Sequence, residues 1–355
     1  MVSITTPEDK ILFAWTVVSL EQPLGALLFK GIDGMSEGLD TFKATTDISP
    51  AYKSSTKTKQ NPSNKKSPEP KVEKQRTKNI MRLIKGDSAK VLQTIESDSI
   101  DLVVTSPPYA DQRKGTYGGV HADHYVAWFL PIADELHRVL KPTGSFVLNI
   151  KERVVNGERH TYVMELIIAM RKRGWLYTEE YIWHKRNCYP GKWPNRFRDA
   201  WERCIHFTKQ KKFAMYQESV MVPMGNWKNS RLKALSETDR VRDESKVGSG
   251  FGKKIENWIG RDWAYPANVL HLATECANRS HSAAFPESLP EWFIKLFTKP
   301  GDMILDPFSG SGTTMRVARN LERSSIGIEI SDEYCELTAA ELGLKKLKGG
   351  IYDTP

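Results

Sequence analysis

Two short segments carry residue types whose spacing could do chemistry. The first is Asp101-Leu-Val-Val-Thr-Ser-Pro-Pro-Tyr109, an apolar run that stops at two prolines and an aromatic residue. Proline fixes φ and lacks an N–H, so such a turn presents carbonyl oxygens on a rigid frame. Ser106, Pro107, Pro108 and Tyr109 thereby form an acceptor-rich site beside an aromatic face. That suits the exocyclic amine of a nucleobase, a poor nucleophile until acceptors hold its hydrogens and localise its lone pair. A proline turn that merely caps a core strand satisfies the same residues.

The second segment is Met303-Ile-Leu-Asp-Pro-Phe-Ser-Gly-Ser-Gly-Thr-Thr-Met315, an apolar strand running through a Gly-x-Gly turn into a helix. Gly310 and Gly312 allow close backbone approach to a ligand, and the helix start offers unpaired N–H groups. Glu329 stands seventeen residues beyond Gly312 at the end of Ile326-Gly-Ile-Glu, where a carboxylate can accept ribose hydroxyls. A generic tight turn or a nicotinamide site remains open on this motif alone. Met315 replaces the third glycine of a dinucleotide fingerprint, which favours a mononucleoside ligand.

The elements needed to hold these segments form an α/β pattern from Ile80 onward. Expected strands are Ile80 to Ile84, Asp101 to Thr105, Ser145 to Ile150, Tyr177 to Trp183, Cys204 to Thr208, Met303 to Asp306 and Ser324 to Ile328. Expected helices are Ala89 to Thr94, Tyr125 to Leu140, Tyr162 to Arg173, Leu289 to Phe297, Thr313 to Leu321 and Asp332 to Leu342. In an open parallel sheet, ligands bind at the carboxyl ends of strands near the switch point, so both motifs could face one crevice.

Taken together, TSPPY at 105–109 and DPFSGSGTT at 306–314 resemble the amino-methyltransferase family of DNA methylases, in the permuted β-type order with the catalytic motif first. The resemblance spans roughly residues 80–343. It implies a Rossmann-like α/β sheet with an inserted DNA target-recognition region, S-adenosyl-L-methionine as cofactor, and double-stranded DNA as substrate. It also implies catalytic roles for Ser106, Pro107, Pro108 and Tyr109, and cofactor contacts from Asp87, Asp306, Phe308, Gly310, Gly312, Thr313, Thr314 and Glu329. His281 to Pro290 resembles the segment over the methionine part of the cofactor, and Tyr265-Pro-Ala-Asn-Val-Leu the stretch that closes the variable region. Ser106 stands where adenine-specific members more often carry Asp, a family habit that tilts the expectation to N4 of cytosine over N6 of adenine.

Between about residues 186 and 265 the α/β rhythm gives way to a basic, aromatic region, expected to read DNA. Arg113, Lys114, Lys185, Arg186, Lys192, Trp193, Arg196 and Arg198 are the candidate DNA contacts, with Trp183 and Trp201 readable as core residues. Asp111 to Gly119 reads as a loop able to close over an extruded base, and Val247 to Lys254 as a second basic loop or a solvated linker. Glu179 and Glu180 read as exposed or turn residues, and His121, His124 and His184 as structural.

The chain of 355 residues has a formal net charge of +9, consistent with a polyanionic partner. Residues 53–78 carry nine Lys or Arg against two Glu and read as a disordered basic linker, which supplies most of that excess. Residues 1–52 form an extension without a chemical motif. The expected division continues with 79–185 as the catalytic half, 186–265 as the target-recognition region, 266–345 as the cofactor half and 346–355 as a tail. Four scattered cysteines without a C-x-x-C pair indicate neither a disulfide framework nor a zinc site and read as reduced thiols. No apolar run is long enough to span a membrane. The resemblance further implies a cytoplasmic, nucleoid-associated prokaryotic enzyme, a monomer or weak dimer, either solitary or paired with a separately encoded restriction endonuclease. An RNA or protein methyltransferase, and a non-catalytic DNA-binding protein on the same fold, are the competing readings.

Overall fold

Ten strands form one sheet, described by a computed structural model that covers residues 79–112, 119–188, 191, 194–225, 260–274 and 285–355. In chain order the strands are β1 (Met81–Lys85), β2 (Ile100–Thr105), β3 (Leu140–Ile150), β4 (Leu176–Lys185), β5 (Trp201–Thr208), β6 (Val269–Leu272), β7 (Met303–Asp306), β8 (Ser324–Glu329), β9 (Lys345–Lys346) and β10 (Ile351–Asp353). Their order across the sheet is β6-β4-β5-β3-β2-β7-β8-β1-β10-β9. The segment β3-β2-β7-β8-β1 is parallel throughout. Beyond it, β5 runs antiparallel to both β3 and β4, and β10 antiparallel to β1.

The helices that cover the sheet are α1 (Ser88–Val91), α2 (Ala122–Val139), α3 (Tyr162–Lys172), α4 (Ser288–Phe297), α5 (Thr313–Asn320) and α6 (Asp332–Leu342). Because both sheet faces are covered, the central strands read as near-continuous apolar runs. Strand β2 shows how this is used. Val103 enters the core beneath α2 and α3 with Phe129, Leu136 and Leu166, while Leu102 and Val104 enter the opposite core with Phe293 and Phe297 of α4. Its register is thereby fixed on two sides, since a one-residue slip would exchange the two sets. A third cluster, built on Leu83 of β1, Met315 of α5 and Cys335 and Ala339 of α6, closes the β1 end.

All expected strands and helices form, with ends shifted by a few residues; β7 and α6 have the bounds expected. Four differences matter. Strand β5 lies inside the stretch 186–265 expected to be an insertion, yet it is a buried member of the main sheet, so that region is interrupted by the catalytic framework. Residues 346–355, expected as a tail, include β10, whose buried Tyr352 seals the β1 end. Strand β6 was not anticipated. Glu179 is exposed on β4, as expected, whereas Glu180 is half-buried there and accepts from Tyr177 Oη and Arg203 Nη1, both at 2.5 Å. Residues 1–78, most of the loop 111–119, residues 247–254 and residues 281–284 lie outside the described residues.

Candidate active site

The two chemical motifs leave the sheet from adjacent strands. β2 and β7 are parallel neighbours, with Leu102 opposite Ile304 and Val103 opposite Leu305. From β2 the chain proceeds to β3 on one side and from β7 to β8 on the other, which makes the gap between them the switch point of the sheet. Thr105 Oγ1 donates to Asp306 Oδ1 at 2.6 Å, tying one motif to the other at the point where both strands end. The loops that follow line a single cavity of about 470 Å³.

One half of the cavity is made of backbone. Asp306 is buried and its carboxylate also accepts from Thr314 Oγ1 at 2.6 Å and from Phe308 N at 3.1 Å. Burial raises its pKa, and the two hydroxyls and the amide oppose that rise. All three bonds hold the loop shape, so Asp306 braces the cavity wall from within the protein. Gly312, with φ of 77°, starts α5 in the left-handed region, and a Cβ there would lie 2.5 Å from Thr338 Cγ2. Gly312 and Thr314, expected as ligand contacts, stand behind the residues that line the cavity and shape the loop. Phe308, Ser309, Gly310, Ser311 and Thr313 do line it.

Glu329 closes this half at the end of β8. Its Oε2 accepts from Gly310 N at 2.9 Å and its Oε1 from Ser331 N at 2.8 Å, so each oxygen keeps a lone pair for another donor. Burial raises its pKa, partly offset by the Ser331 and Gly310 amides. Asp87, which caps α1 by accepting from Lys90 N at 3.3 Å, lines the cavity beside Ser88. Ser88 Oγ donates to the Pro307 carbonyl at 2.5 Å and clamps α1 onto the glycine loop. Phe308 meets Trp128 of α2 at 5.8 Å between ring centroids, giving the cavity an aromatic wall.

The other half is built from side chains of four strands. Ser106, Pro107, Pro108 and Tyr109 follow β2, and the Pro108 carbonyl accepts from Tyr125 Oη of α2 at 3.0 Å, which braces the turn. Tyr109 Oη donates to Glu202 Oε2 at 2.7 Å, with Asn149 Oδ1 at 3.3 Å and Ser106 Oγ at 3.4 Å. Glu202, only 6% exposed, is ion-paired through Oε1 with Lys185 Nζ at 2.5 Å. Burial first, then the Glu202 charge, push the Tyr109 hydroxyl well above its ordinary range, so the phenol keeps its proton. Asn149, Lys151, Lys185 and Glu202 all line the cavity. Glu202 and Asn149 were missed in the sequence; the only signal for Asn149 is a polar side chain interrupting the apolar run Phe146 to Ile150, and Glu202, beside Arg203, carries none.

The candidate DNA contacts divide. Lys185 lies inside the cavity, its ammonium 5.0 Å from the buried Trp183 ring, where it neutralises Glu202. Arg186, Arg196 and Arg198 are exposed on the connection between β4 and β5, whose two ends are joined by Lys185 N donating to Ala200 O at 2.7 Å. Asp199 anchors that connection by pairing with Lys151 at 3.0 Å and with Arg159. Two residues earlier, Phe197 is 95% exposed. Arg113, Lys114, Lys192 and Trp193 lie outside the described residues. Trp183 is buried as expected, whereas Trp201 is partly exposed, with the Arg203 guanidinium 5.4 Å from its ring. His121 caps α2, its Nδ1 accepting from Asp123 N at 3.3 Å. No helix among the described residues is long and apolar enough to cross a membrane.

A doubly covered α/β sheet with a glycine loop, an acid one strand further and a Pro-Pro-Tyr turn at its switch point is the framework of a methyltransferase. The chain belongs to the DNA methylase family, which matches residues 100–341. It is 32% identical over 282 residues to the type II methyltransferase M.PvuII of Proteus hauseri, covering 72% of this chain and 81% of that protein. It is 30% identical over 272 residues to the orphan methyltransferase M.BamHII of Bacillus amyloliquefaciens, covering 74% and 98%. A solved structure of PvuII DNA methyltransferase (cytosine-N4-specific) superposes with a TM-score of 0.55 at 28% identity, covering 72% of this chain and 84% of that one. S-adenosyl-L-methionine is the methyl donor of the enzyme. The cavity suits it: a buried carboxylate with spare lone pairs, a close-approach glycine loop and an aromatic wall answer a ribose, an electron-rich tail and a purine ring.

Proposed function

We propose that this enzyme methylates N4 of cytosine in duplex DNA at a specific site. What supports the reading most is the junction at Thr105 and Asp306, which makes the Ser-Pro-Pro-Tyr turn and the glycine loop two walls of one cavity. Ser106 and the likeness to a cytosine-N4-specific enzyme favour cytosine over adenine.

In this reading Glu329 accepts the ribose hydroxyls of S-adenosyl-L-methionine, Asp87 and Phe308 flank its adenine, and the loop 309–313 faces its amino-acid portion. When bound, this cofactor supplies an electrophilic methyl group on sulfur. Ser106 Oγ and the Pro107 carbonyl accept the two hydrogens of the target amine, which localises the nitrogen lone pair toward the methyl donor. Tyr109 offers its ring face to the base. Positioning is then the main catalytic effect; the methylated amine, cationic after transfer, gives up one of its hydrogens as a proton to water, so no strong base is needed before transfer.

An amine inside a paired duplex cannot reach this cavity, so the target base must leave the stack, at a cost of a few kcal/mol. The exposed Arg186, Arg196 and Arg198 of the connection between β4 and β5 neutralise phosphates, and Phe197 between two of them fills the gap left in the duplex, a reading supported by its exposure. The parts of 186–265 outside β5 are the target-recognition region, and residues 53–78 add salt-sensitive, non-specific affinity. The test is incubation with methyl-labelled cofactor and matched duplex DNA, single-stranded DNA and RNA of one sequence pool. Label should enter duplex DNA, and label confined to RNA would overturn the proposal.

A further inference from the structure

The hydrogen bonds around Tyr109 have a direction, and one residue sets it. Glu202 is buried on β5 with its charge met by the Lys185 ammonium at 2.5 Å. An ionised carboxylate has no hydrogen to give, so the contact of 2.7 Å to Tyr109 Oη requires the phenol to donate. Asn149 points the same way. Its Nδ2 donates to Glu202 Oε2 at 3.3 Å and to the Arg203 carbonyl at 3.1 Å, which turns its Oδ1, an acceptor, toward the same hydroxyl at 3.3 Å. With its only hydrogen committed, Tyr109 can offer Ser106 nothing but lone pairs. Ser106 therefore donates to Tyr109 across 3.4 Å, and its single hydrogen is committed to that hydroxyl, leaving its lone pairs for a ligand.

The consequence falls on the target amine, which presents two N–H groups and no usable acceptor. A serine whose hydrogen pointed into the cavity would oppose them, whereas one showing lone pairs accepts. We propose that Glu202 is the positioning residue that fixes this polarity, acting through Tyr109 to hold Ser106 as a pure acceptor. The inference rests on the reading of Ser106 as the group that meets a base amine. It explains why a charged pair is kept in an interior where an apolar pair of similar volume would be no less stable.

Replacing Glu202 by Gln keeps the shape and permits the reverse chain: the amide donates to Tyr109, Tyr109 to Ser106, and Ser106 into the cavity. Three variants test it, Glu202→Gln, Tyr109→Phe and the double substitution, each first checked for an unchanged melting profile and cofactor affinity. Single-turnover methylation by Glu202→Gln should fall about 100-fold, the scale of one oriented hydrogen-bonding group at a reacting centre. In Tyr109→Phe the relay is cut, so adding Glu202→Gln should cost at most about twofold more. A merely structural role would make the two losses multiply, and that result, or a Glu202→Gln rate equal to that of the parent, overturns the proposal. Infrared difference spectra, with the Tyr109 band identified by its loss in Tyr109→Phe, supply a readout free of DNA. The phenol C–O stretch should lie at the donor end of its range in the parent protein and move down in Glu202→Gln. An unmoved band would overturn the polarity argument even with an active enzyme, whereas a moved band in a protein that methylates no nucleic acid would retain the polarity and discard the base-amine reading.

Discussion

The two halves of the cavity reach order by opposite means. On the cofactor side, Asp306 and Glu329 spend most of their bonds on amides and hydroxyls of the glycine loop and of the turn after β8, with Thr105 the one partner from the base side, so the shape is set largely by backbone. On the base side, Tyr109, Asn149, Lys185 and Glu202 come from β2, β3, β4 and β5 and hold one another side chain to side chain. The first arrangement tolerates little change in backbone freedom. The second tolerates backbone variation and is sensitive to which atom donates and which accepts.

That contrast predicts separable failures. Ser106→Ala removes an acceptor and leaves the glycine loop alone, so the single-turnover rate should fall by about 10²–10³ with cofactor affinity, measured by calorimetry, unchanged. A parallel loss of affinity would mean that the halves are coupled. Gly312→Ala does the reverse. The left-handed φ and the approach of 2.5 Å to Thr338 should cost about 2–4 kcal/mol of stability, seen in denaturant melts, and weaken cofactor binding.

A smaller effect separates the sheet beneath the base side from the rest. Burial holds His206 of β5 neutral, its pKa pushed down from 6.5 to about 3, with Nε2 against Ser145 Oγ at 3.0 Å. The unfolded chain takes up that proton as pH falls below 6.5 while the folded chain does not, so the group withdraws stability between about pH 6.5 and 3. About 2 kcal/mol should be lost from pH 7 to pH 5 through this residue, and His206→Gln should lack that part of the slope in urea titrations. Smallest is the connection between β4 and β5. Phe197→Ala should slow methylation of intact duplex about tenfold, the worth of one lost stacking contact, and have no effect where the target faces an abasic gap. Equal loss on both substrates would remove Phe197 from base extrusion.

The same contrast accounts for what was legible in the sequence. The glycine loop, Glu329 and the Ser-Pro-Pro-Tyr turn are contiguous or regularly spaced, so their residue types announce their geometry. Strand β7 and helix α6 were legible to the residue, because an apolar run ends at a turn in one and Ser331 and Gly343 bracket the other. Glu202 was not, since Trp-Glu-Arg-Cys reads as a surface alternation until β5 inserts between β3 and β4 and brings Lys185 and Tyr109 to it. Strands β6 and β10, of four and three residues, were too short to show a period of two. Of the basic residues proposed to meet DNA, the sequence showed the charge, while only the fold separates Lys185, buried against Glu202, from the exposed Arg186, Arg196 and Arg198.

The most direct test of the central claim is the identity of the methylated nucleoside. Unmethylated genomic DNA, treated with the enzyme and methyl-labelled S-adenosyl-L-methionine, is digested and resolved by mass spectrometry. The label should appear in N4-methylcytosine and be absent with Ser106→Ala. Label in N6-methyladenine, or label that survives Ser106→Ala undiminished, would contradict the account of this site.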